Sequence, residues 1–365
     1  MNNNSSISNS TLENISRKRL TWIDVVKGLA IFLVVLGHFS YSKDGGAVKQ
    51  AIYSFHMPLF FMVAGCTAAI SFGNSSSVSA FFVKRVISVF VPYTVWCFLY
   101  RVPFTDISQL TQTYSFAEHL HCFLCGTVME WFLICLFVLQ TVFAIYKFIT
   151  KIQSSTIAKL ATAGGLFVLL FVMHRTWGRT SADAPYWALE FLTNAYKFYI
   201  PFAIGVFIIE YPTLFKKLFQ NRFALSIYIF AFLFGIMIDN VSAHCRQTLI
   251  GSGISLLIIH LLSSIDYSNV QKRILQTTIN QLKLFGKYTL AIYLFHGIFL
   301  PWNPLATNVW GVGTLPFLIM FSIAVVTCYI CIVLDYIISL SPFWSVLLLG
   351  KKSGFSNRGC PSQAS

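Results

Sequence analysis

Charged residues are scarce in this 365-residue chain. They make up 10% of it, and only 12 residues are Asp or Glu. A soluble domain of this size carries about 25% charged residues, so the deficit excludes an ordinary soluble fold. Instead, apolar runs of about twenty residues recur along the whole length, as membrane-spanning helices require. The sequence therefore predicts an all-α fold, a polytopic integral membrane helical bundle.

Large hydrophilic loops and paired acidic residues are also missing. A membrane glycosyltransferase or polymerase is expected to carry both, whereas Asp106 and Glu118 stand isolated in this sequence. Nucleic-acid binding is not expected either. The net charge of +14 comes from short Lys and Arg clusters between the apolar runs rather than from one continuous basic face.

No metal site is predicted, although one segment offers metal-binding residue types. HLHCFLC, residues 119–125, contains His and Cys at spacings near those of zinc ligands. The alternative is that its cysteines act as small hydrophobic residues in apolar helices. We favour that interpretation.

Ten membrane spans are predicted, and the basic residues orient them. The spans lie at about 22–40, 51–71, 86–101, 130–148, 157–174, 193–209, 222–240, 247–265, 284–301 and 313–339. Eighteen Lys and Arg residues fall on the side of the N-terminus, six on the opposite side, and only Lys27 and Lys197 within spans. Because cytoplasmic loops are enriched in Lys and Arg, both termini are predicted to be cytoplasmic.

The domain organisation follows from these spans. Residues 1–20 are predicted to form a disordered cytoplasmic N-terminus, residues 21–345 a membrane domain, and residues 346–365 a cytoplasmic tail. The stretch 102–129 is interpreted as a re-entrant or interfacial element on the outer side.

The segment KGLAIFLVVLGH, residues 27–38, places two ionisable residues inside the first predicted span. Eleven helical residues turn through roughly 1100°, within about 20° of three full turns, so Lys27 and His38 share a face about 16 Å apart along the axis. Ionisable residues inside a span indicate a functional site. The alternative is structural: Lys27 reaches the interface beside Asp24, and His38 bonds a neighbouring helix.

Five segments resemble, in order, motifs of the membrane acyltransferases of family 3. They are WIDVVKGLAIFLVVLGH (22–38), FHMPLFFMVAG (55–65), KRVISVFVPYTVW (84–96), WFLICLFVLQ (131–140) and GKYTLAIYLFH (286–296). The subgroup that the chain resembles most is the sugar O-acetylases typified by fucose 4-O-acetylase.

The resemblance implies an acetyl-CoA-dependent sugar O-acetyltransferase in the bacterial inner (plasma) membrane. Such an enzyme moves an acetyl or other acyl group from cytoplasmic acyl-CoA to a hydroxyl of an envelope or surface glycan, such as O-antigen or exopolysaccharide, or of its lipid-linked precursor. Acyl-CoA is then a co-substrate, and no bound cofactor is expected. A transporter or flippase for a glycolipid or small anion is the alternative, because it too needs cations and a titratable ring in a polar channel.

Carried onto this chain, the resemblance implies that His38 is the catalytic histidine, as a general base or as an acyl relay. Lys27, Lys84 and Arg85 are then donor-binding residues that contact the phosphates of acyl-CoA. The family often has Arg-x-x-Arg at the start of the third span. Here the position three after Arg85 is Ser88, which departs from that pattern.

Five further residues are candidates for contacting the acceptor or supporting the catalytic histidine: Asp24, His56, Glu130, Trp131 and His296. Several of them have structural alternatives. His56, beside a proline that frees a backbone carbonyl, is as well explained by helix packing. Glu130 either orients His38 or caps its own helix near the positive end of the helix dipole, and we favour capping. His296 is either a site residue or an interfacial one.

Overall fold

The computed structural model describes residues 20–39, 47–99, 116–126, 130–178, 188–219, 243–267, 269–302 and 314–351. These residues are almost entirely helical, and among them we find one isolated β-bridge, between Gly178 and Leu189. The disorder predicted for residues 1–20 concerns residues that, except for Leu20, lie outside the described ranges. The predicted span 222–240 also lies outside them.

The helices follow one another in chain order. They are α1 (Thr21–Phe39), α2 (Ala47–Gly73), α3 (Val78–Arg85), a π-helical turn (Val86–Phe90), α4 (Val91–Leu99), α5 (Phe116–Cys125), α6 (Trp131–Thr150), α7 (Thr156–Trp177), α8 (Glu190–Glu210), α9 (Pro212–Phe219), α10 (Ala243–Ser263), α11 (Arg273–Lys287), α12 (Thr289–Phe295), a 3₁₀ helix (His296–Trp302), α13 (Thr314–Ser339) and α14 (Pro342–Leu349).

Seven helices in the described part of the chain are long and apolar enough to cross a membrane. They are Thr21–Phe39, Val48–Gly73, Val78–Leu99, Trp131–Thr150, Thr156–Trp177, Glu190–Glu210 and Phe317–Ser339. Each coincides with a predicted span, which confirms an all-helical protein with several candidate spans. The total of ten spans and the cytoplasmic termini remain predictions.

The predicted span 247–265 corresponds to α10 (Ala243–Ser263). The predicted span 284–301 takes a different form, because the helix is interrupted at Tyr288. The hydroxyl of Thr289 donates to the carbonyl of Gly286 at 2.8 Å, which satisfies an acceptor that the end of α11 leaves open. A continuous apolar helix over 284–301 therefore does not form.

Glycines set the closest helix crossings of the bundle. Gly28 of α1 meets Gly286 of α11, and Gly65 of α2 meets Gly205 of α8. At each of the four positions, a Cβ atom would overlap a backbone carbonyl of the opposite helix. Small residues let membrane helices approach this closely. Helices α1, α2 and α8 of these crossings also border the cavity described below.

The crossing of α2 and α8 gives a stability prediction. Gly205→Ala is expected to lower the melting temperature in detergent, because overpacking costs about 1–3 kcal/mol. Gly164→Ala on α7 is the matched control, since nothing lies within 4 Å of an added Cβ there. Alanine should be neutral or stabilising at that position. Equal melting temperatures for the two variants would contradict the close crossing.

The last described helix is tied to the bundle by polar contacts. Lys351 Nζ lies 2.5 Å from Asp335 Oδ2 on α13, and Trp96 Nε1 on α4 donates to the carbonyl of Leu348 at 2.9 Å. These contacts hold helix α14 (Pro342–Leu349) against α4 and α13.

Candidate active site

A cavity of about 260 Å³ lies between α1, α2, α6, α8, α10 and α12. Most of its lining is apolar or aromatic, and a few polar groups converge on it. The lining residues are Val34, His38, Tyr53, His56, Met57, Pro58, Phe60, Glu130, Trp131, Phe132, Asn194, Lys197, Phe198, Thr248, Tyr293, Leu294, His296 and Gly297. Such a combination is typical of small-molecule sites.

Two of the helices that border this cavity contain an internal proline. Pro58 lies inside α2 and Pro201 inside α8. Each removes the helical hydrogen bond to the carbonyl four residues earlier, which belongs to Ser54 in α2 and to Lys197 in α8. Gly251 of α10 packs directly against Pro58 and the Ser54 carbonyl. Both lost helical hydrogen bonds therefore belong to helices that border the cavity, and Pro58 and Lys197 themselves line it.

Two histidines meet at the cavity wall. His38, in the last turn of α1, and His296, at the start of the 3₁₀ helix, are 258 positions apart in the chain, yet His38 Nδ1 lies 2.8 Å from His296 Nε2. His296 is buried, with 4% of its surface exposed. The two rings thus form a pair rather than independent packing residues.

The second nitrogen of His296 fixes the direction of this hydrogen bond. His296 Nδ1 lies 2.7 Å from the carbonyl of Tyr293 and 3.0 Å from that of Ile292. Carbonyl oxygens only accept, so Nδ1 carries the proton and Nε2 of the neutral ring is the acceptor. His38 Nδ1–H then donates to His296 Nε2. This arrangement leaves the lone pair of His38 on Nε2, the atom that a general base would use.

His56 is held in a similar way on α2. Its Nδ1 donates to the carbonyl of Ile52 at 2.8 Å, and its ring packs against Tyr53 with the centroids 4.8 Å apart. His56 is buried and lines the cavity. Its position accommodates both interpretations given above, because the ring packs between helices and also borders the cavity.

Glu130 and Trp131 line the cavity at the N-terminus of α6. Glu130 occupies the N-cap position, but its side chain makes no capping hydrogen bond there. Its place at the N-terminus of α6 agrees with the favoured capping interpretation, through the helix dipole rather than through a hydrogen bond, and its buried carboxyl also lines the cavity. Trp131 stacks on Phe198 with centroids 5.9 Å apart and an interplanar angle of 28°, forming part of the aromatic wall.

The four remaining predicted site residues do not line the cavity; they are Asp24, Lys27, Lys84 and Arg85. Lys27 forms an ion pair with Asp24 one turn earlier on α1, at 3.8 Å. Lys84 Nζ and Arg85 Nη2 both donate to Ser71 Oγ, at 3.1 and 2.6 Å. The cations therefore form groups separate from the histidines.

The distance between these groups follows from helix geometry. Ser71 lies fifteen positions after His56 on α2, which is roughly 22 Å of helix. Lys27 is about 16 Å from His38 along α1 by the same rise. The cations are thus displaced from the cavity toward the N-terminal end of α1 and the C-terminal end of α2.

Sequence reasoning missed several polar residues of the cavity, among them Asn194 and Lys197 on α8. Lys197 was visible as one of two cations inside predicted spans, a signal that indicates a functional site by itself. Asn194 carries no comparable signal, because it belongs to no motif and becomes informative only through its position one turn before Lys197.

The HLHCFLC segment contributes a smaller cluster on α5. His121 Nε2 lies 3.3 Å from Cys125 Sγ. Among the residues that the structure describes, no group of three or more His, Cys, Asp or Glu side chains could hold a metal ion.

Comparison with known proteins places the chain in one family. The family model described as an acyltransferase domain, acyltransferase family 3, matches residues 20–336. This range includes every lining residue of the cavity. Comparisons with curated proteins and with solved structures gave no significant match. Because the family model covers most of the sequence, this chain belongs to acyltransferase family 3.

Proposed function

We propose that the protein is a membrane O-acetyltransferase that moves an acetyl group from cytoplasmic acetyl-CoA to a hydroxyl of an envelope or surface glycan, or of its lipid-linked precursor. The observation that supports this proposal most is the His38–His296 pair in the cavity. A hydroxyl is a weak nucleophile, and a positioned base that removes its proton contributes about 10²–10⁴-fold to the rate.

In the proposed reaction, His38 Nε2 is the general base. The sugar O–H bond breaks as its oxygen forms a bond to the thioester carbonyl carbon, and Nε2 takes the proton. His296 Nε2 keeps the His38 ring oriented throughout by accepting from Nδ1–H. When the C–S bond breaks, the His38 imidazolium returns the proton to the departing thiolate, so the base is regenerated.

A covalent relay is the alternative use of the same nitrogen. His38 Nε2 would attack the thioester, release coenzyme A, and pass the acetyl group to the sugar in a second step. Rapid quenching with labelled acetyl-CoA in the absence of acceptor separates the two routes. Label retained on the protein at His38 would support the relay and replace the general-base mechanism.

The depth of the cavity fits an acceptor that arrives from outside. The lining residues come from the end of α1, the beginnings of α6 and α8, and the end of α12. With the predicted cytoplasmic N-terminus, these helix ends lie toward the outer face. The donor must then extend its thioester through the bundle from the cytoplasmic side.

The cations that lie away from the cavity are suited to bind the phosphate end of the donor. Coenzyme A carries several phosphate charges, and Lys and Arg side chains bind phosphate through charge-assisted hydrogen bonds. We assign this role to Lys27, Lys84 and Arg85. The thioester lies at the far end of the long pantetheine arm, which can bridge the separation between these cations and His38.

Lys27→Ala is expected to raise KM for acetyl-CoA about tenfold while kcat changes little, since a hydrogen bond to a charged group is worth about 1.5–3 kcal/mol. Initial rates across an acetyl-CoA series measure both constants. Lys272→Ala, an exposed cation just before α11, is the control and should behave as wild type. An unchanged KM in Lys27→Ala would remove Lys27 from the donor site.

Release of free coenzyme A thiol tests the proposed function against the transporter alternative. Protein in lipid nanodiscs, given acetyl-CoA and glycan from its native membrane, should release thiol in step with acetyl gained by the glycan, as followed by mass spectrometry. Transport of glycolipid without thiol release would favour a flippase and overturn the proposal.

A further inference from the structure

Lys197 brings a cation to the same cavity as the histidines. It lies on α8, inside the candidate span Glu190–Glu210, and it lines the cavity together with Asn194. Residues three positions apart lie on one helical face, so an ammonium group and a side-chain amide point to the same side of α8. A cation within a span is costly unless a partner or water compensates it.

The described part of the chain supplies no anion to Lys197. Its Nζ instead lies 5.4 Å from the centroid of the Phe198 ring. Glu130 is the acidic residue among the described cavity-lining side chains, and no ion pair joins it to Lys197. A neighbouring aromatic ring offers only part of the stabilisation that a carboxylate would give.

Two other lysines of the described bundle have carboxylate partners. Lys147, near the end of the span formed by α6, forms an ion pair with Glu210 and also contacts aromatic rings. Lys351 is paired with Asp335. Lys197 instead lines a cavity, and its contact is with an aromatic ring rather than with a carboxylate.

We infer that Lys197 binds an anionic group of the acceptor, a carboxylate or a phosphate, with the Asn194 amide as a second donor to the same group. This inference rests on the proposed function, and it narrows the acceptor to an acidic sugar or a sugar that bears phosphate. An ammonium group offers three donors to an oxyanion, and the amide two more.

The size of the cavity limits how much of the acceptor enters. Its volume of about 260 Å³ is at the small end of ligand pockets, which span roughly 300–1,000 Å³. One sugar residue with its charged substituent therefore fits better than a longer oligosaccharide. Lys197 and Asn194 would bind the charged substituent, while His38 Nε2 takes the proton from a hydroxyl of the same sugar.

Three matched probes test the inference with the full-length protein in nanodiscs: 4-nitrophenyl glucoside, the corresponding glucuronide, and the glucoside 6-phosphate. Binding is measured by calorimetry, and acetyl transfer from labelled acetyl-CoA is measured alongside. At least one anionic probe should bind wild-type protein about tenfold tighter than the neutral one, the effect of one charged hydrogen bond. Whichever anionic probe binds more tightly shows whether the site prefers a carboxylate or a phosphate.

Variants at Lys197 separate binding of the anionic group from a general effect on ligand binding. Lys197→Met should remove the preference for the anionic probe while leaving the neutral probe unaffected, and Lys197→Arg should retain the preference. Lys159→Met, which changes a lysine outside the cavity, is the control. Equal binding of neutral and anionic probes to wild-type protein would overturn the inference, as would a Lys197→Met variant that loses neutral and anionic probes alike.

The same experiment distinguishes this inference from the proposed function. Thiol release without any charge preference would reject the anion site and keep the acetyltransferase. Charge-selective binding with no thiol release from acetyl-CoA, in the presence of native glycan as well, would keep the anion site and reject the acetyltransferase.

Discussion

Replacement of His38 by asparagine is expected to lower kcat for acetyl transfer by about 10²–10⁴-fold, the usual contribution of a general base. Asparagine keeps an amide donor that can still face His296, so the helix packing should persist, but it has no basic nitrogen. Initial rates of thiol release at saturating acetyl-CoA measure the loss.

His260→Asn is the control for this substitution. His260 lies on α10 and does not line the cavity, so its replacement should leave kcat within a factor of about two or three, as for changes away from the site. Melting temperatures of both variants should match wild type closely enough to exclude unfolding. Activity retained by His38→Asn at a level near that of His260→Asn would remove His38 from the mechanism.

His296→Leu is expected to lower kcat by about 10²-fold, because a base displaced by about an ångström loses that much. Leucine removes the acceptor that fixes His38 Nδ1–H, so the His38 ring can rotate and change tautomer. KM for acetyl-CoA should change little, since His296 lies away from the cations assigned to the donor. Steady-state kinetics of purified protein give both constants.

A positioning role for His296 predicts rescue by a suitable acceptor. His296→Gln can offer a side-chain carbonyl to His38 Nδ1–H and should recover part of the activity that leucine loses. A residue needed only for packing would show no such difference, and both variants would lose stability together. Equal activity of the Leu and Gln variants would therefore contradict the hydrogen-bonded pair.

The sequence predicted the membrane bundle because apolar runs and basic loops are local signals. It placed seven runs that form long helices in the structure. It was less informative where backbone geometry depends on neighbours. The interruption at Tyr288, for instance, arises between two helical segments that the hydropathy pattern reads as continuous.

The candidate site was predictable in part for a related reason. The motifs contain His38, His56, Trp131 and His296, Glu130 directly precedes one of them, and all five residues line one cavity. Helical periodicity gives the face on which a residue lies within its own helix, but it does not give the rotation of that helix against others. The hydrogen bond between residues 258 positions apart therefore became visible only in the fold.

Lys197 and Asn194 illustrate the remaining gap. Neither belongs to a family motif. Their approach to the histidines depends on the close glycine crossing of α2 and α8, where Gly65 and Gly205 allow backbone contact. Sequence patterns identify such glycines as small residues, but they do not show which glycine of one helix meets which glycine of another.

A structure with a ketone analogue of acetyl-CoA, in which a methylene replaces the thioester sulfur, tests the central claim most directly. Our account predicts that the phosphates lie near Lys27, Lys84 and Arg85 and that the acyl carbonyl enters the cavity, with its carbon about 3–3.5 Å from His38 Nε2 or from an acceptor hydroxyl bonded to it. An analogue bound with its acyl end outside the cavity, out of reach of both histidines, would contradict that account.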